Sequence, residues 1–186
     1  MVTSSPTLIV VSGPPGSGKT TLARKVAARI GCPLIIRDEI KQGLVMATPG
    51  YEPGGDDPLN LTALTVFTDV LTTLLKSGTT TVAEAAFQDR LWRPILDGLT
   101  ALADVRIIRC EVPVETAHTR VADRVATDVH RTAHGDTKLL QAIAAGDSPI
   151  ASFTSIAMDL PTLVVDTSDD YRPGLPDVIA FATGNA

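Results

Sequence analysis

Apolar residues along the chain gather into short dense runs, separated by longer segments in which they recur every three or four positions. Five runs read as β-strands: LIVVS at Leu8 to Ser12, PLIIRD at Pro33 to Asp38, TTTVAEAAF at Thr79 to Phe87, VRIIRCEV at Val105 to Val112 and TLVVDTS at Thr162 to Ser168. The intervening segments carry a helical period. Leu22, Val26 and Ile30 fall on one face before Gly31, and Leu61, Leu64, Leu71, Leu74 and Leu75 do the same before Gly78. Further helices are expected through Leu91 to Leu102 and Lys138 to Ala144, with Asp89 or Asp136 as possible caps, and over Glu115 to Val125 after Pro113. This alternation predicts an α/β fold of three layers, with a five-stranded parallel sheet between helices. The segment TPGYEPGGDDP, Thr48 to Pro58, predicts a flexible loop over about 47–58, positioned over a site rather than between domains.

With 186 residues, 44% of them hydrophobic, the chain has enough apolar material for a single domain over 1–186. Its purely apolar runs reach about five residues, against the roughly 18 that a membrane span requires, so a soluble cytoplasmic protein without a membrane partner is expected. Cys32 and Cys110 lie beside strand-like runs without metal-ligand spacing and read as core or near-core thiols. His118, His130 and His134 likewise lack zinc spacing and read as surface or lid residues. A formal net charge of -5 argues against a long nucleic-acid track, which needs many cations along the phosphates.

The chemistry concentrates in GPPGSGKT, Gly13 to Thr20, immediately after the first strand. A G-x-x-x-x-G-K-T run between strand and helix is the Walker A phosphate loop. Gly13, Gly16 and Gly18 permit close backbone approach, and the N–H groups from Gly16 through Ser17 to Thr20 are expected to converge on the phosphates, with Thr21 beside them. Pro14 and Pro15, which have no N–H, stiffen the earlier part of the turn. Lys19 is expected to reach the β- and γ-phosphates, and Thr20 to ligate Mg²⁺. Asp38 follows the second apolar run, at the sheet edge where ligands bind in parallel sheets. It could accept a proton from an attacking hydroxyl; equally, Asp38 or Glu39 could cap the following helix.

On these motifs the chain resembles the small P-loop kinases that include polynucleotide 5′-kinase domains, chloramphenicol phosphotransferase and zeta-toxin-like kinases. The resemblance covers most of the chain and implies a P-loop fold with strand order 2-3-1-4-5 and a helical lid over about 120–137. It implies an ATP- and Mg²⁺-dependent kinase acting on an alcohol group. In the polynucleotide kinase pattern R-D-x-x-R the aspartate is the base and the second arginine holds substrate; here the residues are Arg37, Asp38 and Lys41. Lysine lacks the planar fork that suits a phosphate, which points away from a nucleic-acid acceptor. The resemblance places Glu84 of VAEAAF at the Mg²⁺ and substrate site, and puts Arg120 and Arg124 in an arginine-bearing lid, with Arg131 following. Arg124 is the expected transition-state arginine. Thr167, after the last strand, falls where the family forms part of the base pocket.

The acceptor is expected between Asp38, Lys41, Glu84, Arg90 and the loop around Tyr51. An acidic chain with carboxylates at this pocket suits a small neutral or cationic molecule, such as a nucleoside, a sugar or a hydroxylated antibiotic. A polynucleotide 5′-hydroxyl kinase and a non-catalytic ATP-binding switch are the alternatives.

Overall fold

The computed structural model describes residues 5–51, 57–127, 136–145, 147 and 149–185. Five parallel strands form one sheet in the order β2-β3-β1-β4-β5: β1 (Thr7–Ser12), β2 (Leu34–Ile36), β3 (Thr81–Ala85), β4 (Asp104–Glu111) and β5 (Thr162–Asp166). The helices are α1 (Lys19–Ile30), α2 (Arg37–Met46), α3 (Pro58–Lys76), α4 (Asp89–Leu99), α5 (Val114–Thr127), α6 (Asp136–Ala144) and α7 (Leu175–Thr183).

The strands read as unbroken apolar runs because helices cover both faces of the sheet. Leu8 and Val10 of β1 pack with Ala83, Val105 and Ile107 against Phe67 and Leu71 of α3 and Trp92 of α4. Their neighbours Ile9 and Val11 point the other way, joining Val82, Ile108 and Val165 against Leu22 and Val26 of α1 and Val178 of α7. On the first face, Phe67, Phe87 and Trp92 meet edge to face with ring centroids 5.4–5.9 Å apart. Burial of this kind stabilises by about 25 cal/mol per Å² of apolar surface removed from water.

Several expected boundaries shift. The second strand stops at Ile36, and Arg37 and Asp38 open α2, with Ile36 rather than an acidic residue at the N-cap. Asp38 and Glu39 lie in the first turn, where carboxylates favour the helix dipole without capping it. Gln88 occupies the N-cap of α4, and Asp89 instead accepts hydrogen bonds from Arg93 and from the Ala157 N–H. On α3 the buried face is Ala63, Phe67, Leu71 and Leu75, while Leu61 is 69% exposed. Although no purely apolar run is long, α3 is apolar enough over its 19 residues to cross a membrane by length and composition alone. Its threonines break the runs while keeping the helix apolar, and all five, Thr62, Thr65, Thr68, Thr72 and Thr73, return their hydroxyl protons to carbonyls one turn back.

Cys110 is buried and Cys32 half-buried. Burial pushes the Cys110 thiol up to about 12. His118 is half-buried on α5, and His130 and His134 lie outside the described residues.

Candidate active site

The turn after β1 needs glycine at Gly16 for close backbone approach and positive φ, and at Gly18 for positive φ alone. Gly16 has φ +81°, and a Cβ there would run into the carbonyl of Ala117 on α5. Gly18, at φ +73°, is the N-cap of α1 and brings no side-chain acceptor, and the first turn has no acidic residue. The leading N–H groups of α1 are thereby kept for an anion. Ser17 departs from the expectation that every N–H from Gly16 onward faces the phosphates: its amide donates to the Pro14 carbonyl at 3.2 Å. The buried Ser17 hydroxyl has no hydrogen-bond partner among the described residues.

Lys19 and Thr20, the first two residues of α1, converge on Glu84 at the carboxyl end of β3. The Thr20 hydroxyl donates to Glu84 Oε2 at 2.8 Å, and Lys19 Nζ stands 3.8 Å from Glu84 Oε1. Glu84 is only 2% exposed. Burial raises its pKa; Lys19 counteracts this, and Asp38 adds to it by repulsion. A buried carboxylate beside a threonine hydroxyl at a phosphate loop is chemically suited to Mg²⁺, which Thr20 and Glu84 could hold between them. Among the described residues no cluster of three His, Cys, Asp or Glu forms a separate metal cage.

On the β4–β5 side of β1, a cavity of about 470 Å³ is lined by Gly16, Gly18, Thr21, Arg120, Arg124 and Tyr171. Arg120 donates to the carbonyls of Thr167 and Ser168, both at 2.8 Å, and to that of Gly16 at 3.4 Å. It therefore ties α5 to the phosphate loop. The Thr167 hydroxyl donates to the Ser17 carbonyl at 2.7 Å, locking the end of β5 onto the same loop. Lys25, Asp170 and Tyr171 also line this cavity, with Lys25 Nζ 4.8 Å from the centre of the Tyr171 ring. None of these three was singled out from the sequence; the polar run DTSDDYR after the last strand was the available signal for Asp170 and Tyr171, and Lys25 had none.

On the β3–β2 side, Asp38 is partly exposed, its Oδ1 accepting from Arg37 Nη1 at 3.2 Å. Glu39 points elsewhere and pairs with Arg24 at the surface. Lys41 and Tyr51 are brought together, but on a carboxylate rather than around open space. Lys41 Nζ lies 2.6 Å from Asp57 Oδ2, the Tyr51 hydroxyl donates to the same oxygen, and Asp57 Oδ1 caps α3 through the Leu59 N–H. Burial works to raise the Asp57 pKa, but these hydrogen bonds prevail and hold it below the ordinary carboxylate range. Arg90 is exposed on the first turn of α4, and Arg131 lies outside the described residues, as does 52–56 of the expected loop. The cation that lines the adjoining cavity is Arg37.

Residues 8–146 match an AAA domain family. The chain belongs to this family. Its sheet order and phosphate loop make it an AAA domain of the P-loop kinase fold. A candidate kinase from Chloroflexus aurantiacus superimposes on this AAA domain with a TM-score of 0.80 at 22% identity, over 98% of this chain and 100% of that one. The APS kinase of Mycobacterium tuberculosis, solved with AMPPNP and APS, gives 0.64 at 16% identity, over 96% and 98%. A sugar kinase from Janibacter gives 0.61 at 20%, over 97% and 94%. These likenesses are ones of fold. No curated protein matches the chain.

Proposed function

We propose that the protein is an ATP-dependent phosphotransferase that moves the γ-phosphate to a hydroxyl of a small molecule. The observation that carries this reading is the convergence of Lys19 and Thr20 on buried Glu84, with one cavity on each side of β1. The cavity beside α5 is suited to nucleotide and the one beside α2 to acceptor. The kinase neighbours support the same class, and the AMPPNP bound in one of them supports ATP as donor.

In this reading Lys19 neutralises charge on the β- and γ-phosphates. Bound Mg²⁺, held by Thr20, would supply further neutralisation of the triphosphate. Asp38 accepts the acceptor's hydroxyl proton as the new O–P bond forms and the β,γ-bridging O–P bond breaks, releasing ADP. Arg124 faces the charge that spreads over the transferring group, while Arg120, committed to three carbonyls, positions the loop. The Lys41–Asp57 pair, with side chains only 12% and 7% exposed, leaves Lys41 unsuited to a nucleic-acid phosphate and favours a small acceptor.

Incubation with ATP, Mg²⁺ and a panel of alcohols, sugars, nucleosides and 5′-hydroxyl oligonucleotides should yield a product heavier by one phosphate, read by mass spectrometry. Lys19→Ala should abolish it. Tight ATP binding with no phosphorylated product from a broad panel would instead mark a nucleotide-binding switch.

A further inference from the structure

The cavity on the β3–β2 side has a volume of about 620 Å³, room for a small organic molecule. Its wall is mostly apolar: Leu61 and Leu64 of α3, Phe87 after β3 and Leu91 of α4. Its two charged residues are both engaged. Asp57 holds Lys41, Tyr51 and the α3 N-terminus. Arg37 places its guanidinium 5.7 Å from the centre of the Phe87 ring and donates to Asp38 and, at 2.8 Å, to Asn60 Oδ1. With Arg37 matched by Asp38 and Lys41 by Asp57, the cavity carries little net charge. The remaining polar side chain of the wall is Asn60, whose Oδ1 is taken by Arg37.

We infer that this cavity is the acceptor site and takes an uncharged alcohol with an apolar aryl or branched-alkyl body, rather than a sugar or a polyanion. This inference rests on the phosphotransfer reading. The apolar body lies against Leu61, Leu64 and Phe87, and the hydroxyl is delivered to Asp38, to which the cavity-lining Arg37 donates. A sugar would lose its hydration against leucine without finding enough partners. An oligonucleotide would find its nearest cations already neutralised.

Trp92 provides a direct readout, being the chain's single tryptophan, with its ring 5.4 Å from that of Phe87. With AMPPNP and Mg²⁺ present, 3-phenyl-1-propanol should change Trp92 emission saturably. Glucose and a 5′-hydroxyl oligothymidylate should do so at least ~10-fold more weakly. Leu61→Glu changes an exposed side chain at the cavity wall and spares the fold; it should weaken phenylpropanol binding ~10-fold or more while AMPPNP affinity holds. Leu64→Gln provides a second test. With ATP in place of AMPPNP, the phenylpropyl phosphate ester should appear by mass. No saturable emission change, equal binding by the Leu61 and Leu64 variants, or ester formation from glucose in preference to phenylpropanol overturns the inference and leaves the kinase reading standing. Phenylpropanol binding with no phosphate transferred to any acceptor overturns the kinase reading itself, and the acceptor role of the cavity with it.

Discussion

Asp57 accepts from Lys41, Tyr51 and the Leu59 N–H, and so fastens α2, the start of α3 and the segment between them with one carboxylate. Asp57→Ala removes a helix cap and leaves the Lys41 ammonium buried without a partner, so it should destabilise by about 3 kcal/mol in urea titration. Because the folded-state carboxyl titrates below its ordinary value, its contribution is complete above about pH 4 and is lost as pH falls through the lowered value. The gap between wild type and Asp57→Ala should therefore close in acid. Arg124 is expected to act mainly in the transition state, so Arg124→Ala should slow turnover by ~10³-fold with a smaller change in ATP affinity. Equal losses in both quantities would assign it to nucleotide binding alone. Lys19 and Thr20 were legible from the spacing of the G-x-x-x-x-G-K-T run, and Glu84 only through the family resemblance. The capture of Lys41 and Tyr51 by Asp57 was not, since the three side chains meet only in three dimensions.

At the level of elements, α5 is pressed against the phosphate loop through the Ala117 backbone, and Arg120 fastens the contact. Gly16→Ala would force a Cβ into that backbone at positive φ. A loss of ~1–3 kcal/mol in stability and weaker AMPPNP binding should follow, measured by thermal melts with and without nucleotide. The existence of α1 and α3 was readable from their apolar content and the glycines Gly31 and Gly78 that follow them, but the buried face of α3, Ala63 and Phe67 with Leu71 and Leu75, was not the leucine face the sequence suggested. The start of α2 was not: Arg37 and Asp38 continue an apolar run in sequence, and α2 has no fully buried residue to mark its period. The final helix, α7, escaped notice because LPDVIAFAT is too continuously apolar to show a period and follows a proline- and glycine-rich turn.

For the whole molecule, the order β2-β3-β1-β4-β5 places the phosphate loop between two flanks, each with a cavity at the carboxyl edge. The strand order was legible through the resemblance that the phosphate loop and the R-D-x-x-K run carry; the strand runs alone gave five strands without their order. The chemistry of the acceptor flank was not, because Leu61, Leu64, Phe87 and Arg37 meet only in three dimensions. AMPPNP with Mg²⁺ at about 100 times its dissociation constant should stabilise the fold by about 2.7 kcal/mol, visible as a higher melting temperature, and Lys19→Ala should remove most of that gain. The central claim is that the chain transfers phosphate using Asp38 as proton acceptor, and Asp38→Asn tests it most directly. The amide keeps the size of the carboxylate and can still accept a hydrogen bond, but takes up no proton at neutral pH. Calorimetry should find AMPPNP affinity unchanged, while product formation from the acceptor that wild type phosphorylates should fall ~10²- to 10⁴-fold. Transfer at close to the wild-type rate with nucleotide affinity intact would contradict it.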